Sequence, residues 1–144
     1  MMKHTILILF LFLSLLCHGQ SYKFFTTDRE LSSSLINKIY QDRNGMIWIA
    51  TEDGLNRYDG AKFITYKHDP ENEYSLCHNY VRVLYEDSKG RLFVGTYNGI
   101  QLYDPETDSF SARAQWEDGK TFDSNIMSIL ERRNGEIWVS GNNL

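Results

Sequence analysis

The sequence predicts an all-β fold of four-stranded antiparallel blades, a β-propeller with fewer than three blades and therefore an incomplete ring. Three observations carry that prediction. Gly45, Gly90 and Gly135 stand 45 residues apart, and the residues around them keep the same step. The apolar runs between them are short, β-branched or aromatic, and lack the long 3.6-residue periodicity of a helical repeat. Finally, 144 residues fall short of the roughly four blades, about 180 residues at this period, that a closed ring needs.

The first element, residues 1–19, reads as a secretory signal peptide. Lys3 and His4 precede "TILILFLFLSLL", an apolar run of 12 residues. A membrane-spanning helix needs about 20. Cys17 and Gly19 place small residues where a signal peptidase wants them, so cleavage falls after Gly19, with Gln20 as the neighbouring alternative. A retained anchor, or a lipid attached at Cys17, are further alternatives, and Leu16 disfavours the lipid. Without the leader the chain loses Lys3 and becomes one unit more negative than the −4 of the full sequence. An acidic chain without a Lys/Arg cluster argues against a nucleic-acid partner. Cys77 is then the one cysteine left, so export does not imply a disulfide scaffold, and Cys77 reads as a buried packing residue.

Residues 20–34 follow as an N-terminal outer strand and connector. "YKFFTT" at 22–27 resembles the outer strands "AKFITYKH" and "DSFSARA", and is expected to close the ring by pairing with a final blade. Blade 1 spans 35–79, blade 2 spans 80–124, and 125–144 is a partial third blade that breaks off before its strands three and four.

Within blade 1, "INKIYQ" (36–41) is strand one and "MIWIAT" (46–51) is strand two. "LNRYDG" and "AKFITYKH" supply strands three and four. Between the first two, "DRNG" makes a tight turn in which Asn44-Gly45 is expected to supply the positive φ angles of a two-residue hairpin. Strand two is apolar without alternation, which implies burial on both faces. The columns then repeat: Trp48, Phe93 and Trp138; Ile49, Val94 and Val139; Ile39, Leu84 and Ile129. Seven of the 21 positions from 39 to 59 are identical in 84–104, among them Thr51 and Thr96, and Gly54 and Gly99. Asp42 and Asp87 stand three residues before their turn glycines, where a carboxylate accepts backbone N–H groups and fixes the hairpin. A calcium loop needs alternating oxygen ligands ending in Glu, and Arg132 holds the third position, so no metal is expected.

The unit D-x-x-G-x-I-W-I-x-T-x-x-G-L-x-R-Y-D, legible at 42–59 and again at 87–104, resembles the two-component regulator propeller repeat. The third copy departs from it, with Arg132 for the Asp, Gly141 for the Thr and Leu144 for the Gly. The resemblance implies the periplasmic sensor region of a hybrid two-component histidine kinase in a polysaccharide-degrading Gram-negative bacterium. Such a parent carries two propellers, a β-sandwich, one membrane helix and then kinase, receiver and DNA-binding modules, and is membrane-anchored and dimeric. It also implies an oligosaccharide ligand, with the remaining propeller blades as partners of this segment. This chain would be the N-terminal fragment of that sensor and would carry no signalling output.

No catalytic constellation or cofactor motif is legible: His68 and His78 form neither a metal pair nor a nucleophile–base set, and both read as solvated loop residues. The alternatives to a sensor are a segment of a propeller-scaffold lyase or hydrolase, or a protein-docking propeller. Propellers bind on the face formed by the loops between strands two and three and between successive blades. Those loops hold Glu52, Asp53, Tyr74, Tyr97 and Asn98, an aromatic, amide and carboxylate set suited to a sugar, alongside Trp116 in "AQWEDGK".

Overall fold

A computed structural model describes residues 22–27, 30–112, 114–115, 119–121 and 123–142. The expected signal peptide, Trp116 and Leu144 lie outside the described residues. β1 (Ile36–Gln41), β2 (Ile47–Thr51), β3 (Gly54–Tyr58) and β4 (Phe63–Tyr66) form one antiparallel sheet in that order. β5 (Val81–Glu86), β6 (Leu92–Thr96), β7 (Gly99–Asp104) and β8 (Ser109–Phe110) form a second, and β9 (Asn125–Glu131) pairs with β10 (Ile137–Asn142) in a third. The described residues contain no helix. These sheets are propeller blades in an unclosed array. Even the pairing irregularity repeats, with a register shift between Ile36 and Lys38 and again between Val81 and Val83.

The hairpins are built on the Asp and Gly columns. Asp42 Oδ1 accepts from the backbone N–H groups of Asn44 and Met46, and Oδ2 accepts from Trp48 Nε1 at 2.8 Å. Asp87 repeats this with the N–H groups of Lys89 and Arg91, and takes the Arg91 guanidinium where Asp42 takes the indole. The turn itself differs from the expected two-residue form. Gly45 has φ 84°, while Asp108 is the one non-glycine with positive φ among the described residues, so Asn44 is not left-handed. Gly45 N bonds Asp42 O, and Asp42 N bonds Met46 O. This is the longer hairpin loop, a right-handed turn closed by one left-handed glycine, which requires only one positive φ. In the third blade the charges are exchanged: Arg132 stands where Asp was, and Glu136 pairs with it at 3.0 Å.

Burial follows the position of each sheet in the row. Trp48 to Thr51 of β2 are fully enclosed, as non-alternating apolar sequence requires. In the column of Ile39, Leu84 and Ile129, exposure is 58%, 3% and 7%. The difference arises because β5 packs on β1 and β2, and β9 on β5 and β6, while nothing described covers β1 on its other side. At the far end Trp48 is 0% exposed and Trp138 is 59%. Trp48 lies edge-on to Tyr103 of the next sheet at 4.7 Å. Trp138 has no such neighbour among the described residues, and Leu130 and Met127 are exposed with it.

Polar clamps join the sheets. Glu86 accepts from Tyr40 OH, Arg43 N and Arg43 Nε of the preceding blade. One repeat on, Glu131 accepts from Ser88 N and Oγ, and its own N–H donates to Tyr85 OH. A second junction occurs once: Asp108 accepts from Tyr66 OH at 2.5 Å, Tyr103 OH at 2.7 Å and Arg57 Nη1 at 2.8 Å.

The segment 22–27 forms no strand here. The final blade with which it is expected to pair is not among the described residues. Instead Phe25 packs its ring on Tyr58 and Phe63, at 5.1 and 4.9 Å.

Candidate functional site

The turns between β2 and β3 and between β6 and β7 have two-residue tips, Glu52-Asp53 and Tyr97-Asn98. A threonine builds each one. Thr51 Oγ1 donates to Gly54 O and accepts from Asp53 N, and Thr96 does the same with Gly99 O and Asn98 N. Each tip is then tied to its surroundings in the same way: Glu52 N to Leu35 O and Gly54 N to Asn79 O, Tyr97 N to Tyr80 O and Gly99 N to Ser124 O. The repeat thus delivers two equivalent tips, one per blade, to the same face.

Their chemistry differs. Asp53 is engaged at one oxygen by Lys67 Nζ at 2.6 Å and at the other by Asn79 Nδ2 at 3.2 Å. Tyr97 is 56% exposed, and its ring leans on His78 and Tyr80 at centroid distances of 5.6 and 6.1 Å. Beside it, a cleft of about 420 Å³ between the second and third sheets is lined by His78, Tyr97, Asn98, Asp123, Ser124, Asn125 and Asn142. Ser124 Oγ donates to Asn142 O and so ties the cleft's two blade 3 edges together.

Of the residues expected from sequence, the structure brings Tyr97 and Asn98 into one cleft. It places Glu52 and Asp53 one blade away. Tyr74 is exposed, and its carbonyl accepts from Phe110 N at β8, outside that cleft. His78 is the residue the sequence reading missed, since it is half-buried rather than solvated. Burial, and then the proximity of His68, hold its pKa below the ordinary value. Its Nδ1 accepts from Tyr80 N at 2.9 Å, which fixes the neutral ring with the proton on Nε2. No spacing rule announces such a histidine.

A larger opening of about 460 Å³ lies between the loop from His68 to Cys77 and Gln101. Among the described residues it presents Asp69, Glu71 and Glu73, and part of its rim adjoins residues outside those described. Among the described residues no group of three or more His, Cys, Asp or Glu side chains is placed to hold a metal ion.

Comparison with known proteins follows the same pattern. Residues 30–53 and 75–98 match the family described as two component regulator propeller. Histidine kinase P4 of Formosa agariphila is 40% identical over 73 residues, which are 48% of this chain and 5% of that protein. Among solved structures, the extracellular domain assigned to the hybrid two-component system BT3049 of B. thetaiotaomicron superposes with a TM-score of 0.69 at 29% identity. That match covers 81% of this chain and 17% of the other. The extracellular domain assigned to BT4673 of the same organism matches in fold, with a TM-score of 0.67, 24% identity, and 85% and 18% coverage. The chain therefore spans a small fraction of each relative's length.

Proposed function

We propose that this chain, which carries the two-component regulator propeller repeat, supplies the opening blades of a periplasmic ligand-sensing propeller in a hybrid two-component sensor. The ligands in this reading are oligosaccharides released from glycans. The likeness at 29% identity to an extracellular domain of a hybrid two-component system is the observation that carries it. Export through the leader at 1–19, a membrane-anchored dimeric parent and the absence of catalysis in these blades belong to the same reading. So do the remaining blades, which would cover the open faces at Ile39 and Trp138.

The exposed Tyr97 over a polar cleft supports a sugar ligand, because an aromatic plate with amides around it matches the apolar and hydroxyl faces of a pyranose. The test is calorimetric titration of the complete ectodomain containing these residues with oligosaccharide pools from digested polysaccharides of different backbones. Saturable binding to at least one pool is expected. Binding to none, by a protein shown to be folded, would overturn the reading.

A further inference from the structure

The Tyr97 tip carries more information than its position on the face. Its backbone N–H donates to Tyr80 O, yet its phenol makes no hydrogen bond among the described residues and over half of the residue is open to solvent. Two rings behind it, His78 and Tyr80, fix its tilt. A surface tyrosine held in place in this way offers a preorganised plate whose rotamer entropy is already reduced before a ligand arrives.

The walls around the plate are uncharged with one exception. Asn98, Asn125 and Asn142 bring amides, Ser124 brings a hydroxyl, and His78 is present as the neutral ring. Among the described lining residues the exception is the carboxyl side chain of Asp123, and neither Lys nor Arg is among them. Arg82 is not among the lining residues, and its Nη1 donates to Asn125 Oδ1 at 3.5 Å, while Lys67 is held by Asp53 in the neighbouring blade. Recognition of a carboxylate or sulfate draws on charge-assisted bonds from Arg or Lys, and these walls do not present one.

We propose that the cleft between the second and third sheets is a subsite for an uncharged sugar ring. The ring stacks on Tyr97, is hydrogen-bonded by the surrounding asparagines, and is favoured over uronate or sulfated sugars. This rests on the reading of the protein as an oligosaccharide sensor and adds to it the ligand's charge class and the residue that carries the contact.

The test compares neutral gluco-, xylo- and manno-oligosaccharides with oligomers of galacturonate and mannuronate and with a sulfated galactan oligomer, titrated into the complete ectodomain and into Tyr97→Ala and Tyr97→Phe. A neutral oligomer is expected to bind more tightly than any anionic one. Tyr97→Ala should weaken it by about tenfold or more, and Tyr97→Phe should restore it to within about threefold, because stacking needs the ring and not the hydroxyl. An unchanged melting temperature in both variants excludes a folding defect. If an anionic oligomer binds best, or if Tyr97→Ala leaves glycan affinity unchanged, this subsite assignment is wrong while the sensor reading stands. If no oligomer of either class binds, both are wrong.

Discussion

Gly95 of the second blade lies so close to Ile126 of the third that a Cβ at position 95 would sit 2.7 Å from Ile126 Cγ2. One repeat earlier the same two columns hold Ala50 and Val81, both in one buried cluster. The two interfaces therefore place one methyl group differently: Ala faces Val in the first, and Gly faces Ile in the second. Gly95→Ala should cost about 1–3 kcal/mol through overpacking. Adding Ile126→Val recreates the pair found at Ala50 and Val81, but it keeps Cβ and Cγ2 and removes only the terminal methyl, so it should recover part of the loss by letting the side chain shift. Denaturant midpoints of the complete ectodomain and its two variants measure this, and additive losses in the double variant would show that the columns are not equivalent.

Asp87 is 2% exposed and holds two backbone N–H groups and the Arg91 guanidinium. Burial opposes its charged form, but the Arg91 backbone N–H and guanidinium outweigh burial and keep the carboxyl below the ordinary carboxylate range. A depressed native pKa means the stabilisation is complete above the unfolded value of about 4 and is lost as pH falls through the lower native value. Asp87→Asn should therefore be less stable than the parent by about 1–3 kcal/mol at neutral pH. The gap should shrink as the pH falls below about 4. Unfolding curves across that range decide it, and a gap independent of pH would contradict the assignment.

The junction at Asp108 gives an alkaline counterpart. Burial, followed by the hydrogen bond to Asp108, raises the pKa of Tyr66 and pushes that of Tyr103 up to about 12. A raised pKa here favours the neutral phenol, so the stabilisation is present below the unfolded value of about 10 and disappears as pH rises through the native value. Spectrophotometric titration of the complete ectodomain should show these two phenols among those ionising late, as should Tyr40, which burial and the hydrogen bond to Glu86 also raise. Replacing both Tyr66 and Tyr103 by Phe should shrink that late step by two phenols. A titration in which all the tyrosines ionise near pH 10 would rule out the junction.

Much of this fold was legible because the chain repeats itself. The Gly45, Gly90 and Gly135 step fixed the strand boundaries, and the column of Trp48 identified the buried strand. What the repeat does not carry, the sequence did not reveal. Arg57, Tyr66 and Asp108 align with Leu102, Ser111 and Phe63, so their junction has no second copy to betray it. His78 aligns with Ser33 and was equally silent. The N-terminal "YKFFTT" forms no strand because strand-like composition gives a strand only where an edge is available, and the final blade expected to offer one is not among the described residues. At the blade tips, the sequence could not tell that Asp53 is engaged by Lys67 and Asn79 while the Tyr97 phenol makes no hydrogen bond among the described residues.

Neighbouring blades would cover the apolar faces left open among the described residues at Ile39, 58% exposed, and Trp138, 59% exposed. Burying a side chain of this size stabilises by roughly 1.5–3 kcal/mol, a large share of a domain's net stability. The most direct test is thermal unfolding of residues 20–144 alone, with mass determined by light scattering, beside the complete ectodomain. The account predicts a cooperative transition for the ectodomain and, for the isolated blades, aggregation or a broad transition without cooperativity. A sharp, reversible transition from a monomer of the isolated blades would contradict it.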